Sequence, residues 1–309
     1  MSGFVVERPG LLTTVQDAGR WGWQHLGVSA SGWMDDWSPR LANRLVGNED
    51  GAAVLEFTLT GPTLRAERDL VVAVTGAVFD VAVGVRHLKS PCRVAVSAGE
   101  TIAVGARRRG TRGYLACAGG LATDAALGSR SSDLRAGLGG GRLGRGGRCP
   151  VGESTTGAPG ALSRELDAPE WLFSDCLRVL AGPDDPHWTA AALAKLCDAP
   201  FRLSIASDRT GYRLDGGALP APSGRLVSAP VAAGVLQVPP SGHPILLMAD
   251  SQTTGGYARL GAVAAGDRAI AGQLAPGDLV TFREVTRAEA ATMADDRRAC
   301  LEQMVESAQ

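Results

Sequence analysis

The sequence is poor in lysine, in long apolar runs and in net charge. Its 309 residues include only two lysines, Lys89 and Lys195, so a catalytic lysine would be restricted to these two positions. The formal net charge is −1, which predicts no binding surface for nucleic acid or for an anionic membrane. No apolar run approaches the roughly 18 residues of a membrane-spanning helix, so no membrane association is expected.

The cysteines form no recognisable metal-binding or disulfide pattern. None of the six lies in a C-x-x-C pair or near a histidine at ligand spacing, and a structural zinc site needs four close ligands. We therefore predict no metal in this chain. The first residues lack the basic-then-apolar pattern of a secretion signal, so a cytoplasmic protein with reduced core cysteines is expected.

Sequence motifs for nucleotides and for serine hydrolases are also missing. There is no G-x-x-x-x-G-K-[ST] loop and no G-x-S-x-G elbow. Residues 139–144 match G-x-G-x-x-G, but they follow no predicted strand and open no predicted helix. Dinucleotide binding is therefore set aside.

The residues that are abundant predict a mainly β protein. The 41 glycines and 17 prolines are spread along the chain and punctuate short β-branched runs. Predicted strands lie at 70–76, 78–83, 92–99, 100–105 and 113–120, and a second group lies at 177–182, 201–207, 232–240, 244–250 and 278–285. Arg107–Arg109 is predicted as an exposed hairpin tip. We predict two domains, 1–176 with a Gly/Arg-rich loop and 177–309 with a terminal helix.

Capping residues predict three helices between and after these strands. Ser38 is expected to cap a short helix with Pro39 at its first position, and Asp185 to cap a second helix. Thr286 and Glu289 have the spacing of a capping box, which predicts a terminal helix over 287–306.

Three polar segments are candidates for a binding site. The first, 13–25, offers Gln16, Asp17 and Arg20 within five residues, a set that suits a small polar substrate. A solvated loop with turn-forming Asp and Gly is the alternative interpretation. The second, 207–214, follows a predicted strand, and its Arg209 could grip a carboxylate with two parallel bonds. Its alternative is an Asp–Arg pair that stabilises a turn.

The third segment, 249–257, is the densest in polar side chains. Its amide and hydroxyl groups both donate and accept hydrogen bonds, which suits an amide or ureido substrate, and the following Gly-Gly allows close backbone approach. Asp250 at the strand end is a candidate general base. The alternative is a hairpin loop. The substrate-binding candidates here are Gln252, Thr253, Thr254 and Tyr257.

Several ordered motifs resemble one family. They run along residues 4–285 as PGLLTTVQDAGRWGWQHLGVSASGWMD, RLANRLVGN, LEFTLTGPTL, YLACAGG, LGSRSSDLRAG, SDRTGYRL, VLQVPPSGHPILLMADSQTTGGY and QLAPGD. The chain resembles the family of allophanate hydrolase subunit 2 and the C subunit of 5-oxoprolinase, which also contains KipA-type proteins and biotin-dependent carboxyltransferases. The resemblance implies two cyclophilin-like β-barrel lobes with a few short helices.

The resemblance also implies three possible activities. The first is that of a component of a heteromeric, ATP-using 5-oxoprolinase, an amide hydrolase that works with a KipI-type protein (the B subunit, or subunit 1) and a LamB/YcsF-type protein (the A subunit). The second is the carboxyltransferase part of a urea carboxylase and allophanate hydrolase system, which takes the carboxyl group from carboxybiotin. The third is a non-catalytic regulator that binds a KipI-type partner.

Overall fold

A computed structural model describes residues 2–154, 163–220 and 226–308, which fall into two compact units. Unit 1 comprises 1–20, 35–172 and 299–309, and unit 2 comprises 21–34 and 173–298. The predicted domains 1–176 and 177–309 stay a prediction; in the two compact units, 21–34 and 173–176 group with the later half of the chain and 299–309 with the first. Residues 155–162 and 221–225 lie outside the described residues.

Unit 1 is built on a branched ten-stranded sheet with the order β10-β7-β5-β8-β4-β1-β9; β2 pairs with β3, β3 also pairs with β8, and β6 pairs with β5. Its strands are β1 Gly3–Arg8, β2 Leu12–Gln16, β3 Val54–Thr58, β4 Thr63–Ala66, β5 Leu70–Val83, β6 Arg86–Lys89, β7 Cys92–Val96, β8 Thr101–Cys117, β9 Arg148–Pro150 and β10 Ser163–Glu165. Helix α1 covers Ser38–Leu45.

Four of the predicted strands of unit 1 are halves of two long strands. The predicted segments 70–76 and 78–83 form one strand, β5, because Gly76 has a φ of +88° and continues the pairing through a bulge. The predicted segments 100–105 and 113–120 similarly lie largely within β8. The hairpin tip predicted at Arg107–Arg109 is therefore wrong, since these arginines lie inside β8 and Arg107 pairs with Phe79 of β5.

The core of unit 1 is apolar and tightly packed. Phe57 and Phe79 meet edge to face with ring centroids 5.1 Å apart, and both are fully buried. Gly113 lies directly against these rings, since a Cβ atom there would be 2.3 Å from Cε2 of Phe57. Only glycine therefore fits at this point of β8.

Unit 2 contains a closed seven-stranded barrel with the order β11-β18-β15-β16-β13-β12-β19 and a separate β14-β17 pair. Its strands are β11 Cys176–Ala181, β12 Phe201–Leu203, β13 Gly211–Asp215, β14 Ala229–Pro230, β15 Val235–Val238, β16 Ile245–Leu247, β17 Thr254–Gly255, β18 Ala258–Val263 and β19 Leu279–Glu284. The helices outside unit 1 are α2 Pro186–Asp198, α3 Arg268–Gln273 and α4 Arg287–Ser307, whose last residues group with unit 1. Short 3₁₀ helices lie at Gln24–Leu26, Glu170–Phe173 and Ala265–Asp267. The mainly β prediction is confirmed.

Two of the three predicted helix caps are confirmed. The Asp185 carboxylate accepts a hydrogen bond from the Trp188 amide at 2.8 Å. Thr286 and Glu289 bond reciprocally, with the Thr286 amide 2.7 Å from the Glu289 carboxylate. Ser38 is the exception, because it is the first helical residue of α1 and its amide donates to Asp35.

Candidate functional site

Two of the predicted polar segments meet inside unit 2, around Arg209 and Asp250. Arg209 lies just before β13 and Asp250 follows β16, and these two strands pair antiparallel with Gly211 opposite Leu247. The pairing brings the two side chains together although they are 41 residues apart in sequence. Arg209 donates from Nε to Asp250 Oδ2 at 2.8 Å and from Nη2 to Oδ1 at 3.0 Å. This is a buried, bidentate ion pair.

A loop from the beginning of the chain joins this ion pair. Ser31 donates from its hydroxyl to Asp250 Oδ1 at 2.6 Å, and Arg209 Nη2 donates to the carbonyl of Gly32 at 2.5 Å. Ser31 has a φ of +53°, a conformation that non-glycine residues adopt only when their surroundings stabilise it. The ion pair therefore anchors the 29–32 loop within unit 2. This contact explains why 21–34 groups with unit 2.

The geometry gives Asp250 a positioning role in this conformation. Both of its carboxylate oxygens accept bonds from Arg209, and Ser31 adds a third donor. A carboxylate engaged in this way has little capacity left to take a proton from a substrate. The prediction that Asp250 is a general base stays a prediction. The alternative for the second segment was an Asp–Arg pair that stabilises a turn. The turn is instead stabilised by the Asp208 carboxylate, which accepts hydrogen bonds from the backbone amides of Thr210 and Gly211.

Ser251, directly after Asp250, is buried, but the polar residues that follow it reach solvent. Gln252 and Thr254 are exposed, Thr253 is half-buried, and Tyr257 is 46% exposed. Thr254 also belongs to β17, which pairs with β14 and fixes the backbone of this run. An exposed set of amide, hydroxyl and phenol groups on a backbone tied to a barrel can bind a small polar molecule.

A buried glutamine supports this run, and it was absent from the predicted site. Gln237 of β15 is 1% exposed, and its Oε1 accepts a hydrogen bond from Gln252 Nε2 at 3.3 Å. Its own Nε2 has no hydrogen-bond partner among the described residues. Gly255 lies so close that a Cβ atom there would be 2.5 Å from this nitrogen. The sequence signal was a lone glutamine inside an apolar strand, VLQV.

In unit 1, the Asp17 carboxylate connects the first polar segment, 13–25, to the loop 126–132 through hydrogen bonds. Its Oδ1 accepts from the hydroxyls of Ser129 and Ser131 at 2.5 and 2.6 Å, and its Oδ2 accepts from the Arg130 amide at 2.6 Å. A fourth bond comes from the Gly19 amide at 2.9 Å. The Asp17 carboxylate thus fixes the backbone around Arg130.

Gln16 and Arg20 bond to the same loop and are buried. Gln16 donates from Nε2 to the Ser132 carbonyl at 2.9 Å. Arg20 is 1% exposed and donates to the carbonyls of Ser131 and Ala126. No carboxylate of the described residues lies within salt-bridge distance of Arg20. Burying a guanidinium without a counter-charge is costly, and such sites are candidates for function.

The predicted site residues thus form one group in each unit. Asp250, Arg209, Gln252, Thr253, Thr254 and Tyr257 belong to unit 2, and Gln16, Asp17 and Arg20 belong to unit 1. The expectation that both groups line one common cleft stays a prediction.

Metal-ligating clusters and membrane-spanning helices are absent from the part of the chain that is described. Residues 2–154, 163–220 and 226–308 contain no group of three or more His, Cys, Asp or Glu side chains placed to hold a metal ion. Among the same residues, no helix combines the length and the apolar character needed to cross a membrane.

Comparison with known proteins identifies relatives over nearly the whole chain. Residues 26–284 match the family described as carboxyltransferase domain, subdomain A and B. The C subunit of the 5-oxoprolinase of Escherichia coli K12 is 36% identical over 301 residues, which is 96% of each chain.

Solved structures with the same fold belong to longer chains. The crystal structure of TTHA0988 matches with a TM-score of 0.83 and 38% identity, over 92% of this chain and 56% of that one. The Kluyveromyces lactis urea amidolyase matches with a TM-score of 0.85 and 26% identity, over 98% of this chain and 20% of that one. The chain therefore spans little more than half of the first of these proteins and a fifth of the second.

Proposed function

Because the chain belongs to the carboxyltransferase family of subdomains A and B, we propose that it is the C subunit of a heteromeric 5-oxoprolinase. The observation that carries the proposal is the 36% identity to the C subunit of a 5-oxoprolinase over 96% of both chains. The complex would convert 5-oxo-L-proline to L-glutamate with consumption of ATP. It would work in the cytoplasm, where that nucleotide is abundant.

The reaction needs a site that recognises an amide. Opening the lactam breaks its C–N bond, adds the elements of water across that bond, and leaves a free amine and a new carboxylate. The amide is resonance-stabilised. ATP would transfer a phosphoryl group to the lactam oxygen and leave as ADP, and after ring opening a second water would release that group as inorganic phosphate. In this chain, Gln252, Thr253, Thr254 and Tyr257 would bind the lactam N–H and C=O through complementary hydrogen bonds. Arg209 and Asp250 would hold that run in place.

The glycine-rich segment 139–144 does not fit a phosphate-binding loop. Its residues lie in turns and in an isolated bridge between Arg142 and Thr14, with no helix opening at their end. A phosphate cradle of that type depends on the amides of a helix N-terminus. We therefore assign ATP to no residue of this segment. The complex would use ATP together with its partners, a KipI-type protein and a LamB/YcsF-type protein.

Carboxyl transfer from carboxybiotin to urea is the second candidate. The family description itself and the 98% coverage of this chain by the urea amidolyase fold favour it. The biotin carrier and the carboxylase would then have to come from other chains. A third possibility, a regulator that only binds a KipI-type partner, leaves the exposed polar run of unit 2 without a role.

Reconstitution with the two partner proteins tests the proposal. The assembled complex should hydrolyse ATP in the presence of 5-oxoproline, and Gln252→Ala should raise the KM for 5-oxoproline. Gln303→Ala, at an exposed position of α4, is the matched control and should behave like the unmodified chain. A complex that forms but leaves 5-oxoproline unchanged would refute the proposal. Urea-dependent loss of carboxyl groups from carboxybiotin would then support the second candidate.

A further inference from the structure

Unit 1 contains a groove that the proposed substrate-binding run does not use. Two adjoining cavities of about 580 and 260 Å³ share Ala52, Gly119, Gly120 and Glu153 in their walls, so they form one continuous depression. The larger cavity is also lined by Arg68 and Arg130. Two arginines therefore border one space.

Neither guanidinium is neutralised by the described part of the protein. The Nε atoms of Arg68 and Arg130 are buried and have no hydrogen-bond partner there. Arg68 donates from Nη2 to the carbonyls of Val151 and Gly152, at 3.2 and 2.5 Å, but carbonyls carry no net charge. No carboxylate of the described residues lies within 4.0 Å of either arginine. Both arginines are half-buried, and a cation whose buried Nε lacks an acceptor favours an anion in the space beside it.

The buried thiol of Cys117, which interacts with Arg68, and the thiol of Cys149 next to Cys117 do not supply that negative charge. Burial raises the pKa of Cys117 to about 12 and the pKa of Cys149 to about 11. Both thiols therefore stay protonated and uncharged at neutral pH.

Close backbone contacts at two glycines fix the shape of the groove. A Cβ atom at Gly119, where φ is +91°, would lie 2.5 Å from the Gly152 carbonyl, and one at Gly152 would lie 2.4 Å from the Gly119 carbonyl. Larger residues would therefore separate the two segments that form the floor. Arg130 is held in place from the other side, because its amide donates to Asp17. These contacts set the backbone of the groove, and they leave the Nε atoms of both arginines without a partner among the described residues.

We propose that this groove binds a small oxyanion, a carboxylate or a phosphate, between Arg68 and Arg130. Guanidinium groups match both anions through paired N–H donors. Glu153 shares the cavity wall, and its carboxylate would weaken the binding of an anion there. The proposal does not depend on the activity proposed above.

Calorimetric titration of the full chain at low salt tests it, with inorganic phosphate, acetate and acetamide as probes. Acetate and acetamide serve as the carboxylate probe and its uncharged control, because 5-oxoproline and its amide can both bind the proposed lactam-recognising run of unit 2. Phosphate or acetate should bind and acetamide should not. Arg130→Gln should weaken binding roughly 10- to 100-fold, the range expected for loss of charge-assisted hydrogen bonds. Arg40→Gln, an exposed arginine of α1, is the matched control. Glu153→Gln should strengthen binding, because it removes a negative charge from the same wall.

Arg68 also holds two carbonyl groups, so Arg68→Gln could weaken folding as well as binding. Chemical shifts of the backbone amides of Gly119, Gly120 and Gly152 give a second measurement on the unmodified chain, and the binding probe should perturb them. Binding that survives Arg130→Gln, shift changes away from these glycines, or no binding of either anion at millimolar concentration would overturn the proposal. Binding of phosphate alone would identify a phosphate site, and binding of acetate alone a carboxylate site.

Discussion

Replacing Asp250 by asparagine separates a positioning role from proton transfer. The substitution keeps the shape of the side chain, but it removes the negative charge that faces Arg209. The two side chains are only 7% and 10% exposed, so water cannot replace the lost partner. Breaking a buried ion pair from one side costs about 3 to 5 kcal/mol. Arg209 keeps its bond to the Gly32 carbonyl, so we expect the lower part of that range.

Urea unfolding followed by circular dichroism measures this change in the free energy of unfolding. The control is Asp295→Asn, which breaks an exposed ion pair with Arg298 and should cost less than about 1 kcal/mol. A double variant, Asp250→Asn with Arg209→Gln, should be less destabilised than the sum of the two single variants, because no charge is then left unpaired.

The same variant can also refute the positioning role. If Asp250→Asn leaves the free energy of unfolding unchanged and abolishes kcat in the reconstituted complex, the carboxylate acts on the substrate. If stability falls and the loss of activity is matched by Ser31→Ala, which removes the third donor, the carboxylate acts by holding the 29–32 loop.

Three further changes test the packing and chemistry of the two units. Gly113→Ala should destabilise unit 1 by about 1 to 3 kcal/mol in thermal unfolding, because its Cβ atom would overlap the buried Phe57 ring; an unchanged melting temperature would contradict the packing. Thr286→Ala should cost about 0.5 to 2 kcal/mol in the same assay, since it removes one half of a capping box, and Thr286→Ser should restore most of it. Cys117, whose pKa burial raises to about 12, should resist iodoacetamide at pH 8 in the folded protein, whereas the exposed Cys197 should react; equal labelling would exclude the buried position. A raised pKa in the folded state also means that the stabilising contribution of Cys117 is complete below the pKa of the unfolded thiol. It is lost as the pH rises towards 12.

Features set by neighbours in sequence were predictable, and features set by distant partners were not. The capping box of Thr286 and Glu289 spans three residues, so its spacing alone indicates a helix start. The glycine at position 76 reads equally as a turn or a bulge, and only pairing of β5 with β8 decides between them. The prediction for Arg107–Arg109 was wrong for the same reason, because charged residues occur in long strands as well as at hairpin tips.

The candidate site shows the same contrast between features set by sequence neighbours and features set by distant partners. Residue type identified Asp17, Arg209 and Asp250 as unusual, but it could not supply their partners. Asp17 is bonded to residues more than 110 positions later, and Asp250 to Ser31, 219 positions earlier. Such bonds decide whether a polar group holds the fold together or is left for a ligand.

This distinction changes which residues matter most for function. The carboxylates that the sequence singled out are saturated by protein donors, and their role is to place other groups. Gln237, Arg68 and Arg130 are among the residues with unused hydrogen-bonding capacity, since each has a buried nitrogen that lacks a partner among the described residues. A buried donor without an acceptor costs about 1 to 3 kcal/mol, and a ligand that fills the gap regains it. Binding experiments should therefore begin with these nitrogens.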